Sequence, residues 1–270
     1  MEVITIGNHK GGTGKTATSL HIGAVFGLIG YKTLLIDLDP QGFLTRMMGV
    51  DTNSVVDTSL RLFDVDTSLA QLETVPLPSF HLLPSSEGMR TREKKLTSTI
   101  DLFLVKEALR GQDLYDVIIL DTAAALSSYV LNALVTADTL MIPVTPELQS
   151  VHGAEQTWQS ARTVQGRLNP GLKRLMFLLT NVHGRKKVHR QYANYMRKEY
   201  GRLVMDTVVR TCASVAVECH GGKTVFDNNM NSRGAKDYSA VVDELIRNEV
   251  VPAYKTKTDS EGQETIHLSG

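Results

Sequence analysis

Six short apolar runs set the rhythm of the chain. Residues 3–7, 33–37, 117–121, 139–144, 175–180 and 203–209 are rich in Val, Ile and Leu. Continuous runs of this kind read as strands buried on both faces of a sheet. Between them the pattern changes to a helical period. Leu148, Val151, Ala154, Trp158, Ala161, Gln165 and Leu168 fall on one helix face, as do Tyr238, Val241, Val242, Leu245 and Ile246. Strands alternating with helices imply parallel crossovers. The predicted fold is therefore α/β: a single doubly wound, mostly parallel sheet flanked by helices. Residues 51–77 follow neither period and read as short helices and loops. After Pro252 the chain turns polar and loses apolar periodicity, which predicts a domain over 1–252 and a flexible tail over 253–270.

Composition narrows the setting. A length of 270 residues suits one large α/β domain or two small ones. Lys and Arg balance Asp and Glu at 29 each, so overall charge draws the chain to neither nucleic acid nor membrane. Binding to either must come from a local patch. The two cysteines, Cys212 and Cys219, are too few for a disulfide framework and suit a reducing compartment. The start has no basic segment before a long apolar stretch, so no signal peptide is expected. No run of some 18 apolar residues predicts a membrane span. The expected location is the cytoplasm.

The first strand leads into Asn8-His9-Lys10-Gly11-Gly12-Thr13-Gly14-Lys15-Thr16 and then a helical run. Strand, glycine loop and helix are the context of a phosphate-binding loop. Glycines let backbone N–H groups turn inward as an anion nest, and the helix start adds partial positive charge. Lys15 is placed to reach the β- and γ-phosphates, and the Thr16 hydroxyl to bind Mg²⁺. The usual Gly-x4-Gly-Lys-Thr spacing would need a glycine at His9. What stands here is Lys-Gly-Gly-x-Gly-Lys-Thr, with a second lysine at Lys10.

Two further strands end in carboxylates. Leu34-Leu35-Ile36-Asp37-Leu38-Asp39 puts two of them at i and i+2 where a parallel strand leaves the sheet, the place where ligands bind in such folds. Asp116-Val117-Ile118-Ile119-Leu120-Asp121 has the Walker B form, with Asp121 holding the Mg²⁺ shell.

The two-lysine loop resembles the deviant Walker A motif of the ParA/MinD ATPases. The resemblance runs from Met1 to about Val250. It takes in the turn at Pro84-Ser85-Ser86, the strand ending at Pro143-Val144, and Ser232-Arg233-Gly234-Ala235 before the last helix. It implies ATP hydrolysis with Mg²⁺ and a homodimer formed on ATP. Nucleotide contacts would come from Gly11, Gly12, Thr13, Gly14, Lys15, Thr16 and Ala17, with Asn181 reading the adenine edge. Lys10 would reach the partner subunit's phosphates, adding positive charge where the transition state gains negative charge. Asp39 would position the attacking water, with Asp37 near Mg²⁺ through water. The family usually follows the Walker B aspartate with two prolines. Here Thr122-Ala123-Ala124-Ala125-Leu126 stands instead, which predicts a less rigid loop.

ParA-type relatives bind nucleoid DNA without sequence preference when ATP is bound, and a ParB-like or cargo-adaptor protein stimulates hydrolysis and releases them. The cargo is a plasmid, a chromosome region or a protein body. Arg185, Lys186, Lys187 and Arg190, with Arg233, are the candidate DNA contacts. Arg197 and Lys198 follow on the same stretch, and Arg90, Arg92, Lys94 and Lys95 read as a solvated face. With the loop strand starting at residue 3, a preceding helix-turn-helix is not expected. A MinD-like membrane switch is the runner-up, but the polar tail has no apolar stripe. An iron–sulfur reductase would need cysteines from two separated loops. The Cys212–Cys219–His220 cluster reads instead as incidental thiols. A metabolic P-loop enzyme lacks a substrate motif here.

Overall fold

The computed structural model describes residues 1–213, 215 and 222–253. The tail from 254 onward lies outside them, as do Cys219 and His220. Eight strands form one sheet in the order β3-β4-β2-β5-β1-β6-β7-β8. They are β1 Glu2–Ile6, β2 Thr33–Asp37, β3 Val75–Pro76, β4 His81–Leu83, β5 Val117–Asp121, β6 Thr139–Val144, β7 Arg174–Val182 and β8 Val204–Arg210. All neighbours are parallel except β3, which runs against β4. The helices are α1 Lys15–Leu28, α2 Phe43–Met47, α3 Met89–Glu93, α4 Leu104–Ala108, α5 Ser128–Thr136, α6 Leu148–Arg167, α7 Lys187–Tyr200, α8 Val225–Asn229 and α9 Arg233–Arg247. Residues 51–77 hold two 3-10 turns, Ser59–Phe63 and Leu69–Gln71, before β3.

The continuous apolar runs are buried because helices cover both faces. Ile4 and Ile6 of β1, Leu35 of β2, and Val117 and Ile119 of β5 pack in one cluster with α1 and α9. Their neighbours Val3, Leu34, Ile36, Ile118 and Leu120 pack in another with α4 and α5. Alternate side chains thus feed opposite layers. A third cluster joins β6 and β7 to α6 and α7.

Two elements depart from the expected pattern. Leu148 opens α6 but is 65% exposed, so the buried stripe of this helix starts at Val151. The edge strand β8 is covered by α9 rather than left open. Glu244 accepts from the N–H groups of Asp206 and Thr207, each at 2.8 Å, and Asp237 accepts from Arg210 N at 2.8 Å. Three edge donors that could template another strand are satisfied by one helix.

Register sets the site. Ile6 of β1 and Asp37 of β2 both stand opposite Asp121 of β5, and Ile6 stands opposite Met141 of β6. The carboxyl ends of the adjacent strands β2, β5 and β1 therefore level out together, with the glycine loop leaving from β1.

Candidate functional site

The loop from β1 to α1 is held in an anion-ready shape. Gly12 and Gly14 sit at φ 76° and 84°, the left-handed region that glycine adopts without strain. Gly14 is the N-cap of α1, and no side chain caps the helix. The first N–H groups of α1 are thus left for an outside acceptor. Lys15 is 8% exposed and its Nζ donates to the Lys10 carbonyl at 3.1 Å. Burial pushes its pKa down, and the nearby Asp121 and Asp39 offset part of this. It has no carboxylate within ion-pair distance among the described residues.

The rest of the loop is fastened to neighbouring strands and to α6. Asn8 Nδ2 donates to Pro143 O at 2.8 Å and Asn8 Oδ1 accepts from Lys10 N at 2.8 Å. His9 N donates to Thr157 Oγ1 and Thr180 Oγ1 donates to Thr13 O, each at 2.8 Å. Gly153 on α6 lies so close that a Cβ there would sit 2.9 Å from Asn8 Oδ1 and from Lys10 Cβ. The Lys10 side chain, by contrast, is exposed and forms no ion pair among the described residues.

Asp121 is fully buried. One carboxylate oxygen accepts from Ser19 Oγ at 2.8 Å, and Oδ2 has no hydrogen-bond partner among the described residues. Burial and then the neighbouring Asp37 push its pKa up to about 7, while Ser19, Thr16 and Lys15 pull the other way. A buried carboxylate oxygen without a partner, beside the Thr16 hydroxyl, is a hard-oxygen donor set that fits Mg²⁺.

Asp37 is also fully buried, and burial raises its pKa. Its oxygens accept from Thr45 N at 2.9 Å, Thr45 Oγ1 at 2.6 Å and Asp39 N at 3.1 Å. Asp39 comes forward into the open, with Oδ1 accepting from Gln41 N at 2.8 Å.

A cavity of about 780 Å³ brings Lys15, Thr16 and Asp39 together. Gly11, Gly12, Gly14, Lys15, Thr16 and Ala17 line one wall, and Asp39, Gln41, Arg90 and residues 122–127 line the others. Thr13 is buried beneath the loop. Asp37, Asp121 and Asn181 are not among the residues that line the cavity. Asn181 is exposed at φ 51°, next in sequence to the Thr180 that holds the loop.

Arg185, Lys186, Lys187 and Arg190 are all exposed at the start of α7, and Arg233 is exposed at the start of α9. Beneath them His189, 1% exposed, bonds through Nε2 to Glu147 Oε1 at 3.0 Å, and through Nδ1 accepts from His183 N at 3.1 Å. Glu147 also pairs with Lys186 at 3.7 Å.

Comparison with known proteins now decides the family. A family model described as an AAA domain matches residues 1–174. The chain is 31% identical over 247 residues to the chromosome-partitioning ATPase Soj of Thermus thermophilus, covering 90% of this chain and 94% of that one. The chain belongs to the ParA/MinD family of deviant Walker A ATPases. It is an ATPase that uses ATP and Mg²⁺. Cobyrinic acid a,c-diamide synthase from Mycobacterium smegmatis, solved with an ATP analogue and magnesium, superposes with a TM-score of 0.78 at 25% identity. That match covers 94% of this chain and all of that one. An ATP complex of a Cyanothece McdA variant shares the fold, with a TM-score of 0.80 at 19% identity over 92% of this chain and 96% of that one.

Against this family pattern the structure adds residues that spacing along the chain did not reveal. Ser19, one turn after Thr16, holds Asp121. Thr157, Gly153 and Thr180 hold the loop from far along the sequence. Arg90 is exposed, as expected of a solvated face, and also lines the cavity, while Arg92 is tied to Asp64 at 3.2 Å. Among the described residues no helix is long and apolar enough to cross a membrane.

Proposed function

We propose that the protein is a ParA-type positioning ATPase that dimerises on ATP, binds DNA without sequence preference and is released by partner-stimulated hydrolysis. The observation that carries this reading is the division between the two loop lysines. Lys15 lies inside over its own loop, whereas Lys10 stands exposed at the lip with its backbone pinned on both sides. A fixed backbone with a free ammonium group suits a contact made in a second subunit.

Lys15 and the amides of residues 11–17 bind the triphosphate. Thr16 and Asp121 would hold Mg²⁺, which would supply positive charge to offset the negative charge that develops on transfer. Asp39 orients water for in-line attack, and Lys10 of a second copy meets the developing negative charge. Asp37 supports Asp39 through the Asp39 N–H. Asn181 is assigned to the adenine edge, close to the loop but outside the phosphate cavity.

Arg185, Lys187 and Arg190 form no ion pair among the described residues, so their charge is available to DNA phosphates. Lys186, shared with Glu147, and Arg233 complete the candidate set. Contacts of this kind weaken steeply with salt. The cargo and a ParB-like or adaptor protein would supply direction, with the nucleoid as matrix.

The test is retention on DNA with ATP, ADP or no nucleotide at two salt concentrations. Retention with ATP alone, lost at the higher salt, is expected. Equal retention in all three states overturns the reading.

A further inference from the structure

The cavity lined by the glycine loop carries a second cation. Lys15 and Arg90 are the two basic side chains lining the cavity among the described residues. Two neighbouring arginines are engaged elsewhere. Arg92 pairs with Asp64 and donates to the Phe63 carbonyl. Arg46 lies over the Phe43 ring, 4.6 Å from its centroid, and donates to the Gln41 carbonyl. Arg90 has no carboxylate within ion-pair distance among the described residues. Its Nη2 donates to the neutral amide oxygen Oε1 of Gln41 at 2.9 Å.

The backbone that presents Arg90 is fixed to the Asp39 loop. Ser85 Oγ donates to Asp39 O at 2.7 Å, and Ser85 N donates to Thr45 Oγ1 at 2.9 Å. Tyr129 OH donates to the carbonyl of Met89, the residue before Arg90. Asp39, Gln41 and Arg90 are therefore bonded to one another and line the same cavity as the glycine loop. A guanidinium held only by a neutral amide exchanges that partner readily for an anion, because charge-assisted bonds to phosphate are about twice as strong and can be bidentate.

We infer that Arg90 is a cation supplied in cis to the terminal phosphate, leaving Gln41 for the γ-phosphate when ATP is bound. The inference rests on the reading that residues 10–16 hold the triphosphate. It makes Arg90 a sensor of the third phosphate: ADP gives it nothing to bind. It also links recognition to hydrolysis, since Gln41, which Arg90 releases, bonds the Asp39 carboxylate through its own N–H.

The experiment compares binding of Mg·AMP-PNP and Mg·ADP to the full chain and to its Arg90→Gln and Arg90→Lys variants. It is repeated in a Lys10→Ala background, in which dimers are not expected. Arg90→Gln should weaken AMP-PNP about tenfold or more, the size of one lost charged hydrogen bond, and leave ADP within about twofold. Arg90→Lys should recover part of the loss, and the effect should persist in the Lys10→Ala background. Equal loss for both nucleotides, no loss, or a loss confined to the background with Lys10 intact overturns the assignment. Failure of the unaltered chain to bind either nucleotide would instead sink the reading of the loop.

Discussion

Two fully buried aspartates stand opposite each other across β2 and β5. Burial raises the pKa of both Asp37 and Asp121, Asp121 from 3.8 to about 7. A carboxyl whose pKa is higher in the folded state gives stability that is complete below the unfolded pKa and is lost as pH rises through the folded one. The metal-free, nucleotide-free protein should therefore lose thermal stability between about pH 4 and pH 7. Asp121→Asn should flatten that loss and melt a few degrees higher than the parent at about pH 8. Thermal midpoints measured in chelator across that range decide it, and parallel curves for the two proteins contradict the account. Asp39 has the opposite character, exposed to the cavity and free to orient water. Asp39→Ala should slow ATP turnover on the order of 100-fold while leaving ATP binding intact. Unchanged turnover under saturating ATP rules out its assigned role. These groups were legible in the sequence because each stands at a fixed offset from a strand end or a glycine. Ser19, Thr157 and Arg90 were not, because their roles come from bonds across 102, 148 and 49 residues of chain.

Among the elements, α6 does the most to join the parts. Its middle supports the glycine loop through Gly153 and Thr157, and its N-cap residue Glu147 holds His189 beneath the basic turn. Gly153→Ala would drive a methyl group into Asn8 and Lys10 and should lower nucleotide affinity about tenfold, since small misplacements of a binding group are costly. Gly166→Ala, in the last turn of the same helix with nothing near its Cβ, should instead stabilise the fold by about 0.5 kcal/mol. Nucleotide titration and chemical denaturation of the pair test the contrast. If both variants bind nucleotide like the parent, α6 does not position the loop. At the far edge, Glu244→Ala leaves two β8 donors unpaired and should cost about 3 kcal/mol in denaturation. The six main strands were legible because parallel strands buried on both faces spell continuous apolar runs. The two-residue β3 was not, because a pairing so short leaves no period. The exposed Leu148 was misassigned because helical spacing alone does not say where the cover of a stripe ends.

At the scale of the whole molecule, the account says that one subunit is an incomplete enzyme. Its cavity is lined by the glycine loop, Thr16 and Asp39, with Asp121 buried beside Thr16, yet the leading lysine of the loop is exposed. Overall charge is balanced, so the proposed attraction to DNA depends on a local patch such as the exposed cations at the starts of α7 and α9. Family membership and the doubly wound sheet were within reach of sequence. The two-lysine motif also implied a Lys10 reaching out of its own subunit, and its side chain is exposed; the bonds that pin its backbone were not legible, because they come from Asn8 and Thr13 side chains. The measurement that bears most directly on the central claim is sedimentation of Asp39→Ala and of Asp39→Ala with Lys10→Ala, both in excess Mg·ATP. The first should run as a dimer, and the second as a monomer that still binds ATP. A monomeric Asp39→Ala protein, or dimers that survive loss of Lys10, would contradict the account.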